Sequence, residues 1–269
     1  MPLSKPLWLD EAERKRQAHA PMEESTYFGY ERIQAREKTE RVVKHFDSVA
    51  RVYDCMNSLL SFGIHHAWKR EAVRLLKLRP GEQVLDVCGG TGDLAILAAR
   101  RAGPQGRVVI YDINRAMITA GLHKVVATPL EGRIRHVQGD AEEIAFPDRS
   151  FDAVMVGFGI RNVARMRQGF SEMCRVLRPG GRLLCLEFSR PVWPVFRWLY
   201  DLYSFYVMPF IGELAAGSRK AYTHLPESIR MFPLPEELSG MLREAGFCRV
   251  AYRRFTNGIA VAHLAVKES

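Results

Sequence analysis

Leu85-Asp86-Val87-Cys88-Gly89-Gly90-Thr91-Gly92-Asp93-Leu94 reads as a strand that enters a glycine turn and leaves it as a helix. Glycines at 89, 90 and 92 let the backbone turn tightly and approach a ligand where any side chain would collide. The helix opening near Gly92 aims its free N–H groups at that ligand. Outward from this loop, apolar strands at 83–88, 107–112, 133–138, 151–158 and 182–188 alternate with helices at 93–101, 115–127 and 167–177. Such alternation predicts a parallel sheet covered on both faces. A helix at 235–245 and strands at 248–255 and 259–266 follow, and Thr256-Asn257-Gly258 turns the last strand antiparallel. The expectation is a doubly wound α/β fold with a mostly parallel sheet and a terminal antiparallel hairpin.

Upstream, a helical rhythm is carried over 31–53 by Ile33, Val42, Val43, Phe46 and Val49, and a second helix spans 66–78 before Arg79-Pro80-Gly81. Residues 1–25 are polar and proline-punctuated, a mobile tail on one domain over 26–269. Within that domain, 31–80 should form N-terminal helices and 189–235 an inserted cap.

The glycine loop has two candidate ligands. Gly90-Thr91-Gly92-Asp93-Leu94-Ala95 fits the dinucleotide pattern G-x-G-x-x-G/A, and Asp112 stands where an acid accepts the ribose hydroxyls of either ligand. Asp86 and Asp93 decide between them, because carboxylates repel a pyrophosphate and attract a cationic methionine group. Gly139-Asp140-Ala141 follows the third strand, beside the expected adenine, and the terminal hairpin replaces a second nucleotide-binding half. The cofactor this selects is S-adenosylmethionine.

Composition narrows the partners. The net charge of +9 is spread along the chain without the basic helix or arm of a nucleic-acid reader; it suits an anionic membrane surface or acidic partners. Five cysteines, odd in number and never in a CxxC pair, argue against disulfides and zinc and for a reducing cytoplasm. No metal site is expected. Asp10, Glu11 and Glu13 interrupt any apolar signal core in residues 1–20. No stretch of about 18 uncharged apolar residues is present to span a membrane as a simple helix.

Several motifs together resemble one family. Tyr53-Asp54-Cys55-Met56-Asn57, Ser61-Phe62-Gly63-Ile64-His65, Phe158-Gly159-Ile160-Arg161-Asn162-Val163 and Glu227-Ser228-Ile229-Arg230 are similar to the ubiquinone/menaquinone-biosynthesis C-methyltransferases. The similarity runs from about Thr26 to Val266. It implies the class I S-adenosylmethionine-dependent fold with a seven-stranded sheet, and methyl transfer to a ring carbon of a demethylmenaquinol or a 2-methoxy-6-polyprenyl-1,4-benzoquinol. Cofactor contacts carry over to Thr91, Asp112, Asp140 and Ala141, and weakly to Gly157, where many members have serine.

A phenol is a poor carbon nucleophile, whereas its phenolate pushes charge onto the ortho carbon, so the site must assist deprotonation and stabilise an oxyanion. Arg161 is the expected phenolate stabiliser, since arginine stays protonated and cannot itself be the base. Asn162 would orient the quinol oxygen, Tyr53 would cover the site, and His65 with His66 would relay a proton. The plainer accounts are a salt-bridged loop corner for Arg161 and Asn162, packing for Tyr53, and a polar helix start for the histidines.

The aromatic run at 192–211 is either a cap helix packed on the sheet or an entrance for a prenyl tail lying against a bilayer. The expected partners are a prenylated quinol, an anionic membrane or quinone-synthesis proteins, and a second copy in a homodimer. The expected place is the cytoplasm, peripheral to the inner membrane face. Methylation of another small phenol and a catalytically silent scaffold are the alternatives; the intact glycine loop, Asp112 and Arg161 speak against silence.

Overall fold

A computed structural model of the chain describes residues 25–130, 132–216 and 219–269. The tail expected over 1–25 lies outside them except for Ser25. The described chain begins with a hairpin, β1 (Ser25–Phe28) and β2 (Glu31–Gln34), where a helix was expected from residue 31. Gly29 at φ +60° reverses the chain there. The helical rhythm then holds for α1 (Ala35–Val49), breaks, and resumes as α2 (Tyr53–Leu60) and α3 (Ile64–Leu75).

The expected alternation follows: β3 (Gln83–Val87), α4 (Asp93–Arg101), β4 (Arg107–Asp112), α5 (Arg115–Val126), β5 (Ile134–Gln138), β6 (Phe151–Gly157), α6 (Met166–Val176) and β7 (Leu177–Phe188). The turn Arg178-Pro179-Gly180-Gly181 does not delay the last of these strands. Leu177 already pairs with Phe151, and the turn is absorbed as an irregularity in the ladder. After α7 (Pro194–Leu202), a π-helical turn at Tyr203–Val207, α8 (Met208–Ala216) and α9 (Arg219–Met231) come α10 (Pro235–Glu244), β8 (Phe247–Phe255) and β9 (Ala260–Lys267).

Seven strands form one sheet in the order β5-β4-β3-β6-β7-β9-β8. The first five are mutually parallel, and β9 runs antiparallel to both β7 and β8. Each face of the sheet buries its own core. Leu85, Val87, Val154 and Val156 face Phe170 and Met173 of α6 and Leu238 and Leu242 of α10. Val84, Val108 and Ile110 face Trp68 and Val73 of α3 and Ala95 and Ala98 of α4. Strand order reverses between β3 and β6, so the carboxyl ends of β3 and β4 open the crevice where ligands of such sheets bind.

The segment between β7 and α10 packs mainly on the N-terminal helices. Val49, Met56 and Leu60 of α1 and α2 share a small core with Met208 and Tyr222 of α8 and α9. Tyr203 donates a hydrogen bond across that seam to the Leu60 carbonyl at 2.8 Å. Arg230, fully buried, staples the segment from within. It donates to Asp201 of α7, to Ser204 Oγ at 2.8 Å and to the Pro226 carbonyl at 2.9 Å, and lies 4.1 Å over the Phe205 ring.

Candidate active site

The turn after β3 enters the left-handed region at Cys88, Gly90 and Gly92. A Cβ on Gly89 would stand 2.9 Å from the Asp86 carbonyl oxygen and 3.1 Å from its carboxyl carbon, so the loop tolerates only glycine there. A cleft of about 100 Å³ lies over it, lined by Asp86, Gly89, Gly90, Thr91, Asp112, Asp140, Ala141 and Gly157 among others. Asp112 accepts the Gly90 amide at 2.9 Å on one oxygen and the Asn114 amide at 2.8 Å on the other. Each oxygen keeps a further lone pair for a ligand hydroxyl. Asp140 accepts the Glu142 amide at 2.9 Å. A side chain at Gly157 would meet Leu94 Cδ1 at 2.4 Å, so serine could stand there only if Leu94 swung aside.

The two acids that bracket the loop separate in character. Asp86 is 1% exposed and neither of its carboxylate oxygens has a hydrogen-bond partner in full geometry. Burial raises its pKa to about 8, with the Ala95 amide pulling the other way. A buried carboxylate without a donor is the group that a cationic ligand would satisfy. Asp93 is not such a group, contrary to its expected role: Lys69 holds one oxygen at 2.7 Å and Lys124 the other. Although it is largely buried, the lysines drive its pKa below the usual carboxylate range. Lys124 also binds Asp54 at 2.7 Å, and Asp54 accepts the Thr91 hydroxyl at 2.7 Å, which ties α2 to the glycine loop.

Beyond the cleft lies a second cavity of about 500 Å³, walled largely by apolar and aromatic side chains of α1, α2, α7 and α9. Phe46, Tyr53, Lys69, Phe158 and Asn162 line both spaces. Asn162 Nδ2 and Arg161 Nε, both buried donors, have no acceptor. Arg161 is held as a salt-bridged loop corner and also reaches the cavity. One guanidinium nitrogen is anchored by buried Glu187 at 2.8 Å and donates to the Phe158 carbonyl, while the side chain also lines the larger cavity. Glu187's pKa is raised by burial and pulled back by that guanidinium.

His65 is buried in the cavity wall, its Nε2 3.2 Å from Ser58 Oγ, which lies 3.2 Å from Nε2 of exposed His66. Burial, aided by Lys69, depresses its pKa to about 4. The ligand atoms of His65, His66 and Asp93 lie within 4.8 Å of one another, but the two lysines occupy both Asp93 oxygens.

Four contributors were not singled out from sequence. Lys38 of α1 is buried and donates to the carbonyls of Arg161 (3.2 Å) and Val163 (3.1 Å), clamping the Arg-Asn turn; burial lowers its pKa to about 8. His45 and His224 face the larger cavity, and Glu187 backs Arg161. The spacing of Lys38, Val42 and His45 on one helix hints at a shared face, but a lone lysine or histidine on a helix carries no ligand signal.

A mostly parallel seven-stranded sheet with an antiparallel strand inserted beside its edge, and a glycine-loop cleft at its switch point, is the class I methyltransferase fold. The chain belongs to the ubiE/COQ5 methyltransferase family, whose model matches residues 34–267. It is 45% identical over 252 residues to the ubiquinone/menaquinone biosynthesis C-methyltransferase UbiE of Stutzerimonas stutzeri strain A1501, covering 94% of this chain and 98% of that one. The UbiE of Hahella chejuensis is 46% identical over 244 residues, covering 91% and 98%. Among solved structures, a SAM-dependent methyltransferase from Aquifex aeolicus matches with a TM-score of 0.52 at 19% identity, covering 74% of this chain and 88% of that one. That last likeness is one of fold.

Proposed function

We propose that this chain transfers the methyl group of S-adenosylmethionine to a ring carbon of a prenylated quinol, in quinone biosynthesis. The observation that carries the reading is the wall shared by the two cavities, where Asn162 Nδ2 offers an unpartnered donor between the glycine-loop cleft and an aromatic-lined cavity. The smaller cleft fits the methyl donor by its chemistry: unpartnered Asp86 for the cationic methionine end, Asp112 for the ribose, and Asp140 with Ala141 for the base. When bound there, the donor supplies an electrophilic methyl group. Asn162 orients the quinol oxygen, and Arg161 stabilises the charge that develops on it. Tyr53 and Phe46 close the wall against water, and Ser58 links buried His65 to exposed His66.

The cavity is far larger than a bare phenol requires, and its mouth supports a prenyl tail. Phe62 and Leu199, both lining the cavity, are 83% and 50% exposed. On the 192–211 segment Trp193, Val195, Trp198 and Phe210 also stand exposed to solvent, and on this reading they form one apolar patch with the cavity mouth. Among the described residues no helix is long and apolar enough to cross a membrane. A patch of this kind lies on a bilayer surface, with tryptophan at headgroup level and the positive chain attracted to anionic lipid.

Incubation with labelled donor and short-tailed naphthoquinol or benzoquinol should yield ring-methylated product; donor binding without transfer to either quinol would refute the reading. Anionic vesicles should bind the protein at low salt and release it at high salt. Trp193→Ala with Trp198→Ala should weaken that binding while leaving activity on a tail-less quinol. Loss of tail-less activity would mean that the patch is structural.

A further inference from the structure

Resting on the quinol reading, we propose that the imidazoles of His45 and His224 form a paired proton acceptor for the quinol. The reaction releases one proton per methyl transferred, and the hydroxyl it starts from is phenolic, with a pKa of about 10. Some group lining the larger cavity has to take that proton. Arg161 stays charged, Lys69 is held by Asp93, and Glu187, behind the wall, is paired with Arg161. The tyrosines there carry protons already. Histidines remain, and His65 has Nε2 on Ser58 and Nδ1 sealed in the protein.

His45 and His224 differ from His65 on this point. Their rings meet edge to face, centroids 5.4 Å apart, and both line the larger cavity. His224 is stacked flat on Phe28 of that hairpin, centroids 3.8 Å apart, which fixes its plane. Among the described residues neither ring has a hydrogen-bond partner, and neither is among the sealed groups. Burial, with repulsion from Arg161, holds His45 at about 4. Burial with His45, Arg161 and Lys38 holds His224 at about 3. Both rings are therefore neutral, with an open acceptor nitrogen, at neutral pH. Burial first, and cationic neighbours second, oppose their protonation, and the negative charge of a quinolate formed beside them offsets part of that opposition.

The steps balance with two rings. One imidazole takes the hydroxyl proton. The electron pair left on oxygen moves through the ring, and the ring carbon bonds the methyl group, with the broken bond's pair remaining on sulfur. The second imidazole takes the hydrogen from that carbon, which restores the aromatic ring. The first returns its proton to the quinol oxygen, and the second releases the net proton to solvent.

The test measures turnover of His45→Gln, His224→Gln and the double variant on a short-tailed naphthoquinol and on a ring-fluorinated analogue with a more acidic hydroxyl. Donor affinity by calorimetry and melting temperature are followed in parallel. The double variant should lose about 100-fold or more on the ordinary quinol, the usual scale for a lost general base. Its deficit should shrink several-fold on the acidic quinol, with donor affinity unchanged. Full turnover in the double variant would overturn the proposal. So would an equal deficit on both quinols, which is the mark of lost packing; should the double variant fail to fold, the same comparison on the single variants decides. No product from the unmodified protein with either quinol would instead refute the quinol reading itself, and this inference with it.

Discussion

Asp86 should make donor binding depend on pH in a way that its neighbours do not. Its carboxyl is buried and held at about 8, so at pH 6 it is two units below its midpoint and about 1 in 100 molecules carries the charge. A cationic ligand needs the ionised form, so binding at pH 6 costs about 2.7 kcal/mol more than it would with the group fully ionised. Affinity therefore rises with pH towards 8. Above that the ligand's own ammonium, an α-amino group of pKa about 8, loses its proton and affinity falls again. With both groups counted, binding should peak near pH 8 and be about 25-fold tighter there than at pH 6. Calorimetry at pH 6, 7 and 8 in buffers of different ionisation enthalpy would give affinity and proton exchange together. Asp112 is also raised by burial, so a slope alone does not identify Asp86. Asp86→Asn settles the assignment: affinity at pH 8 should fall at least tenfold and the slope from pH 6 to 8 should largely vanish. A flat profile in the unmodified protein, or an undiminished slope in Asp86→Asn, would refute the reasoning.

Three further outcomes follow from the geometry. Asp112→Ala should weaken donor binding by about 2 kcal/mol or more, through charge-assisted hydrogen bonds lost to the ribose, and calorimetry would read it directly. Arg161→Ala should lower turnover about 100-fold with donor affinity nearly unchanged. It should also lower the melting temperature, because buried Glu187 loses its partner; Arg161→Lys should recover stability more than turnover. Arg230→Met leaves Asp201 without its buried guanidinium, so a loss of about 3–5 kcal/mol and a fall of about 10 °C are expected in thermal unfolding. An unchanged melting temperature would mean that the cap is held mainly by its apolar contacts.

The sheet was legible because its signals are local. A glycine turn between an apolar strand and a helix, repeated alternation, and Thr256-Asn257-Gly258 before the last strand each constrain backbone geometry within a few residues. β1 and β2 were missed because two four-residue strands carry too few positions to show a period of two, and Ile33 also fits the helical rhythm that follows. The cofactor acids were readable only in part. Sequence spacing placed Asp86 and Asp93 on either side of the loop, but Lys69 and Lys124, which neutralise Asp93, come from α3 and α5. His45 and His224, nearly 180 residues apart in the chain, meet only because α9 returns over α1. Glu187 meets Arg161 across neighbouring strand ends. Long-range pairings of this kind leave no trace in periodicity or spacing.

The long-range ties also couple the two cavities that the proposed reaction joins into one site. The N-terminal helices wall the larger cavity, yet polar bonds attach them to the elements that form the smaller one. Asp54 of α2 holds the Thr91 hydroxyl of the glycine loop and shares Lys124 with Asp93. Asn114, which caps α5, donates to the Val43 carbonyl at 3.0 Å and to Asp47 at 2.9 Å on α1. Lys38 clamps α1 to the turn that carries Arg161 and Asn162. Each of the three ties ends within two residues of a group proposed to touch the donor or the quinol, so a ligand that orders the loop, the end of β4 or the Arg-Asn turn also positions the helices over the quinol. Weakening a tie should therefore separate the two halves of the reaction. Asp54→Asn keeps an acceptor for Thr91 but removes one of the two charges that hold Lys124, and it should raise the quinol KM more than it weakens donor affinity. An equal loss in both would mean that the helices merely support the fold.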